Sequence, residues 1–235
     1  MNAIDAIYTK YPFYGSRRIR HELGQNHKIY ICREYVQRLM KLMGLTAIYP
    51  RKHWNFSDPN KQHIKYPYLL KDLAISYPDQ VWGADITYVK LETGFAYLTA
   101  ILDWFSRYVV AWTLSLDLEV NFCVENLNAA LTIGFPKIHN SDQGSHFTSS
   151  DYTGILKEKE IQISMDGRGR CVDNIFTERL WRTVKYENIY LKSYANFLEA
   201  ESGLKIYFDF YNNDRPHSSL GNQTPAQVYF KNKKS

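Results

Sequence analysis

VWGADITYVK, residues 81–90, alternates Trp82, Ala84, Ile86 and Tyr88 with Val81, Gly83, Asp85, Thr87 and Val89. A period of two with apolar residues on both sides reads as a β-strand buried on both faces. Asp85 interrupts it at the centre. A carboxylate in an apolar strand is costly unless something compensates its charge, so Asp85 demands a partner.

Two further β-rich runs follow, GFAYLTAILDWF and YVVAWTLSL, set apart by ETG (92–94) and by Ser106 and Arg107. Connections this short join antiparallel neighbours, so the three runs predict a meander. NFCVENLNAALTIG (121–134) then reads as a helix, KIHNSD (137–142) as a short strand, SSDYTGILKEK (149–159) as a helix and IQISM (161–165) as a strand. After DGRGR a long helix is expected from Val172 to Asn188, and another at about 194–211. A meander followed by alternating helix and strand gives a mixed five-stranded sheet with helices on both faces.

The N-terminal third differs in charge. Residues 1–76 hold 13 Lys/Arg against 5 Asp/Glu, a net of +8, whereas residues 77–235 hold 16 against 19, a net of −3. A basic segment on a mildly acidic remainder points to nucleic acid for that segment. GSRRIRHEL (15–23) reads as a short helix with Arg17, Arg18 and Arg20 around Ile19 and Leu23. A break follows at GQNHKIYI. CREYVQRLMKLMGL (32–45) then carries Val36, Leu39, Met40 and Met43 at helical spacing and stops at Gly44. Its other face presents Arg33, Gln37, Arg38 and Lys41. Two short helices with a basic outer face fit a helix-turn-helix, and equally an ordinary two-helix subdomain, with charge favouring DNA. The expected organisation is residues 1–48 as this segment, 49–76 as a Pro-punctuated linker, and 77–235 as a catalytic core with a helical C-terminal end.

Composition narrows the classes. A hydrophobic share of 45% and a charged share of 23% are globular values that exclude disorder as the default. No run of eighteen apolar residues and no signal-peptide core is present, so a soluble, cytoplasmic protein is expected. Cys32, Cys123 and Cys171 are scattered and odd in number, which fits reduced thiols and neither a disulfide framework nor a zinc site.

Two further acids join Asp85. Asp142 ends KIHNSD, and Glu178 lies on the helix DNIFTERLWRTVK, with 35 residues between them. Asp142 alone would be a turn cap and Glu178 alone a solvated helix residue. Together, three carboxylates on rigid elements suit Mg²⁺ or Mn²⁺, hard cations that also bind phosphates. Two such ions about 3.5–4 Å apart can drive phosphodiester displacement.

WGADITY, LDWFSRYVVAW, NSDQGSHFTS, SMDGRGRCVDN and ERLWRTVKYE resemble the integrase core of the second-frame transposase of IS-three-type insertion sequences, within the DDE transposase and retroviral integrase superfamily. PFYGSRRIR…VQRLMKLMGL is similar to that family's helix-turn-helix, and YNNDRPHSSLGNQTP to its C-terminal end. The resemblance spans essentially the whole chain and includes the Asp–Asp–35–Glu spacing. It implies a ribonuclease-H-like α/β core behind a helix-turn-helix domain. It also implies Asp85, Asp142 and Glu178 as catalytic ligands of Mg²⁺ or Mn²⁺, double-stranded DNA of the terminal repeats and of the target as substrate, and a homo-oligomer on DNA. Lys185, seven after the glutamate, takes the family's position for a cation on the transposon end. Asn174, Arg182 and Lys185 fall near the stripe of Glu178, with simple helix stabilisation by Arg182 as the plainer reading. Asp85 is then expected to face a cation at the sheet edge. His139, His146 and His217 are expected to be structural, and Asp103 to pair with Arg107 or the backbone. Family members carry more helical sequence before PFYGSRR, so a truncated frame, or a partnership or fusion with the upstream-frame protein, is also expected. Rival readings are a non-catalytic DNA-binding protein, a stand-alone nuclease, and a transposase remnant.

Overall fold

A computed structural model describes residues 1–48, 66–166 and 174–231, which fold as two compact units, Met1–Asn55 and Phe56–Ser235. Residues 49–65 of the expected linker, and Cys171, lie outside the described residues.

The first unit holds three helices, α1 (Asn2–Lys10), α2 (Ser16–His27) and α3 (Arg33–Leu42). Ile4 and Ile7 of α1, Ile19 and Leu23 of α2, and Val36 and Met40 of α3 are buried together with Phe13 and Tyr14. The expected break at Gly24 is a correction: α2 continues to His27. Glycine inside a helix costs about 1 kcal/mol, but here the Tyr30 ring lies 3.6 Å from where a Cβ would stand. The helix ends instead at Lys28, in the left-handed region at φ 56°, with Ile29 N–H returning to Leu23 O at 2.9 Å. α3 stops as expected. Gly44 at φ 68° sends its N–H to Lys41 O, and Leu45 N–H bonds Met40 O at 2.8 Å, the paired closure of a Schellman cap.

The second unit is built on a sheet of β1 (Val81–Leu91), β2 (Gly94–Asp103), β3 (Val109–Ser115), β4 (Ile138–Ser141) and β5 (Gln162–Met165). Their order is β3-β2-β1-β4-β5, antiparallel through the meander and parallel from β1 to β4 to β5. Alternation sorts the side chains. Trp82, Ala84 and Ile101 face one side, with α4 (Val120–Leu131), the single turn α5 (Ser145–Thr148) and α6 (Ser150–Glu158) packed there through Phe122, Leu127, Phe147, Tyr152 and Leu156. Val81, Val89, Leu98, Ala100 and Leu102 face the other side. They meet α7 (Ile175–Val184) and α9 (Phe197–Asn213) through Leu180, Trp181, Val184, Leu204 and Phe208. Each large apolar side chain so buried stabilises by about 1.5–3 kcal/mol. The mixed five-stranded sheet with helices on both faces is therefore the observed fold.

The helix expected from Val172 to Asn188 is also corrected. α7 begins at Ile175, and at Lys185–Ile189 the chain widens into a π-helical turn before a last helical turn, α8 (Tyr190–Lys192). A 3₁₀ turn (Ser218–Leu220) and α10 (Pro225–Lys231) complete the described chain.

Candidate active site

Asp85 is the fifth residue of β1, and its burden is resolved by the length of β4. Parallel pairing runs Val81↔Ile138, Trp82↔His139 and Gly83↔Asn140. Continued by two residues, that register sets Asp142 opposite Asp85. Because β4 ends at Ser141, β1 has no paired neighbour on that side at Asp85 among the described residues. A mid-strand carboxylate thus stands at the C-terminal ends of parallel strands, where open α/β sheets bind ligands. β5 extends the pattern: Ser141↔Met165 places Asp166 beside Asp142.

Both oxygens of Asp85 are held. Oδ1 accepts from Ile86 N–H at 2.8 Å and Oδ2 from Trp181 Nε1–H at 2.9 Å. Burial, and then the charge of Asp142, push its carboxyl up to about 7, with Asp166 adding to the rise. Asp142 Oδ1 accepts from Gly144 N–H at 2.9 Å, and burial raises its pKa as well. A Cβ on Gly144 would stand 2.8 Å from that same oxygen, so glycine is what lets the turn close on the carboxylate. Asp166 is itself engaged, accepting from Asn140 Nδ2 at 2.8 Å.

Glu178 is exposed in the first turn of α7, three residues before Trp181, and partial burial raises its pKa. Among the described residues no three His, Cys, Asp or Glu side chains stand close enough to hold a metal ion. Asp85 and Asp142 are therefore brought together, and Glu178 is one helical turn from the residue that touches Asp85. Gly83 governs how closely α7 approaches β1. A Cβ there would lie 2.2 Å from Trp104 Nε1 and 2.9 Å from Thr177 Oγ1.

Lys185 follows Trp181 by four residues and is half-buried. Burial lowers its pKa and the charge of Asp85 raises it, so the ammonium sits within reach of that carboxylate's field. Arg182 is exposed, with its guanidinium 5.9 Å from the Tyr186 ring. Asn174 stands four residues before Glu178, as the spacing of the stripe requires. It is buried at the start of α7, and its Oδ1 has no hydrogen-bond partner among the described residues.

In the first unit Arg17, Gln37, Arg38 and Lys41 are exposed, and Arg18 and Arg33 are half-buried. Arg18 lies over the Tyr14 ring, Arg38 over the Tyr35 ring, and Arg33 Nε donates to Ser16 Oγ at 3.4 Å.

The remaining candidates make local contacts, His146 Nε2 with Leu118 O at 3.1 Å among them. Asp103 accepts from Ser106 N–H, Ser106 Oγ–H and Asp79 N–H, which are backbone and hydroxyl partners rather than the Arg107 guanidinium. That guanidinium lies 3.5 Å over the Phe176 ring. His139 is buried against Tyr152 Oη at 2.8 Å, and burial pushes its pKa down to about 3. His217 Nε2 accepts from Arg215 Nη1 at 2.7 Å. Cys32 and Cys123 are free thiols. Sequence reasoning missed Trp181, Gly83 and Asp166. The equal distance of Asp142 and Asp166 past two adjacent short strands was the available signal for the last.

With this geometry in hand, comparison with known proteins is direct. Residues 76–171 and 159–225 each match a family model described as integrase core domain, and residues 1–53 match an HTH-like domain. The chain is 33% identical over 228 residues to the transposase for insertion sequence element IS629 of Shigella sonnei, covering 96% of this chain and 77% of that protein. It is 30% identical to transposase InsF for insertion sequence IS3A of Escherichia coli (strain K12), covering 93% and 77%. Among solved structures, the HTLV-2 integrase catalytic core domain in complex with magnesium is similar with a TM-score of 0.54 at 20% identity, over 66% of this chain and 97% of that one. The simian T-cell lymphotropic virus intasome in complex with PP2A regulatory subunit B56 gamma gives 0.59 at 18% identity, over 73% and 60%. These likenesses show the ribonuclease-H-like integrase fold. Among the described residues no helix is long and apolar enough to cross a membrane.

Proposed function

Since the chain belongs to the integrase-core family of insertion-sequence transposases, which are DDE polynucleotidyl transferases, we propose that it cuts DNA at the ends of its own element and joins them to a target. The observation that carries this is the juxtaposition of Asp85 and Asp142 at the open edge of the central strand. Two raised carboxylates beside each other are a donor set that a hard divalent cation fits, because its charge relieves the repulsion that neither proton nor peptide fully removes. Asp85 and Asp142 would hold Mg²⁺ or Mn²⁺, with Glu178 completing the set. When bound, such ions supply Lewis-acid activation of an attacking oxygen and charge stabilisation of the leaving one.

The chain's own groups do the rest. Trp181 Nε1–H and Ile86 N–H fix the orientation of Asp85, and Gly144 N–H fixes Asp142. Lys185, four residues after Trp181, meets a phosphate of the element end, and exposed Arg182 extends the same strip. On the first unit, Arg17, Arg18, Arg33, Gln37, Arg38 and Lys41 position the terminal repeat, chiefly through phosphates and with Gln37 suited to base edges. Asn174, four residues before Glu178 and buried, is the least accessible of the expected DNA contacts. In the first step water attacks the phosphodiester at the element end and frees a 3′-OH. In the second that hydroxyl attacks a target phosphodiester and the target's 3′ oxygen leaves. Two ends must meet, so a homo-oligomer on DNA is part of this reading, as is assistance from the upstream-frame protein.

The test is cleavage and joining of labelled duplexes from the flanks of the element, with Mn²⁺ or Mg²⁺. Asp85→Asn, Asp142→Asn and Glu178→Gln should each lower nicking by at least about a thousandfold while end binding persists. Nicking that survives Asp142→Asn defeats the proposal. Binding without any nicking by the wild type marks a DNA-binding remnant, or an enzyme that needs its upstream partner.

A further inference from the structure

The π turn at Lys185–Ile189 is anchored by a buried ion pair that the reaction itself does not use. Glu187, at its centre, receives Arg215 Nε–H on Oε2 at 2.7 Å and Arg215 Nη2–H on Oε1 at 2.8 Å, a two-pronged pair. The side chains are only 7% and 5% exposed. Tyr207 Oη–H of α9 adds a third bond to Glu187 Oε2 at 3.0 Å. Arg215 is fixed in turn: its N–H bonds Phe210 O at the end of α9, and its Nη1 donates to His217 Nε2. Since Arg only donates, His217 accepts there as the neutral ring with its proton on Nδ1.

Single π turns are rare and unfavourable relative to α-helix, and they collect at functional sites. Relaxing this one to α geometry would rotate the helix on one side of it by about 100° relative to the other. Lys185 opens the turn, with Tyr190 N–H closing on its carbonyl. Glu187 is only two residues further, too close for one to turn without the other.

We propose that Arg215, acting through Glu187, is a positioning residue: it clamps the π turn so that the Lys185 ammonium is presented at the Asp85 edge, toward the phosphate of the element end. This deepens the reading of Lys185 as a DNA contact and rests on it. It also gives DRPH, which the reaction leaves without a role, a mechanical one.

Affinity for an element-end duplex is measured for the full chain as wild type, Lys185→Met, Arg215→Lys and the double variant, with thermal unfolding followed in parallel. Lys185→Met should weaken binding about tenfold, the loss of one charge-assisted contact. Arg215→Lys keeps the charge but not the fork, and should weaken it roughly three- to tenfold. The double variant should bind no worse than Lys185→Met alone, because both changes remove one contact. A structural defect acting independently makes the two losses multiply, which overturns the inference, as does wild-type binding by folded Arg215→Lys. Should Arg215→Lys not fold, Tyr207→Phe serves instead. About a twofold loss that disappears in the Lys185→Met background is expected, and no loss overturns the inference. If Lys185→Met itself binds like wild type, the DNA-contact reading falls and takes the clamp's purpose with it, an outcome distinct from the others.

Discussion

Gly83→Ala adds one methyl group where β1 meets α7. Its Cβ would stand 2.2 Å from Trp104 Nε1 and 2.9 Å from Thr177 Oγ1. Neither neighbour has room to yield: Trp104 is 4% exposed, Thr177 is 0% exposed, and the Trp104 ring is edge-on to Phe176 at 5.1 Å. Reaching an ordinary van der Waals separation requires the indole to retreat by roughly 1 Å or more, which pushes α7 off the sheet. Overpacking of this kind costs about 1–3 kcal/mol. For a unit of this size that is a fall in melting temperature of about 2–12 °C. Because α7 carries Glu178 and Trp181, cleavage should fall further than stability, by ten- to a hundredfold under conditions where the protein is still folded. Gly154→Ala is the control. Gly154 lies exposed in α6 with nothing within 4 Å of a new Cβ, so the same change there should raise stability by up to about 1 kcal/mol through helix propensity. Differential scanning calorimetry on both, with nicking assays at 20 °C, decides the matter. A Gly83→Ala protein that melts and cuts like wild type refutes the claim that this contact sets the helix-to-sheet spacing.

Gly144→Ala, whose Cβ would press on Asp142 Oδ1 at 2.8 Å, should lower nicking about ten- to a hundredfold with little change in melting, since the turn is partly solvated; equal loss of both would mean a folding defect instead. Adding 10 mM Mg²⁺ or Mn²⁺ should raise the melting temperature by a few degrees through linkage, and the rise should vanish in Asp85→Asn and Asp142→Asn; an undiminished rise locates the ions elsewhere. Asp103 gives a pH signature. Burial pushes its carboxyl up to about 6, whereas in the unfolded chain it titrates near 4. The fold therefore holds a proton that the unfolded chain has released, so this group's contribution is full below about pH 4 and is lost as pH rises through about 6. Denaturant titrations of wild type between pH 4.5 and 6.5 should fall more steeply with pH than those of Asp103→Asn, by up to about 1.4 kcal/mol per pH unit; parallel lines would show Asp103 ionised throughout.

Much of the fold was legible because its signals are local. The strand alternation of residues 81–90, the short connections of the meander and Gly44 as a helix stop depend on nearest neighbours along the chain, and each appears where it was read. The helix-turn-helix pattern was legible for the same reason, although α2 runs past Gly24 and ends at the left-handed Lys28. The acids at Asp85 and Asp142 were identifiable from residue type and motif. Their adjacency, however, follows from the β1–β4 register, which couples residues 57 positions apart and which no local pattern encodes. Trp181 as the holder of Asp85, the burial of Asn174, and the π turn with its Glu187–Arg215 anchor were likewise decided only by packing. A helical wheel assumes an unbroken 3.6-residue period, and it fails at Lys185–Ile189, where the chain widens into a π turn. Sequence alone determined which residues are able to do chemistry here. Tertiary structure decided which of them meet, because that depends on strand register and on the close approach of α7 that a missing side chain at Gly83 permits.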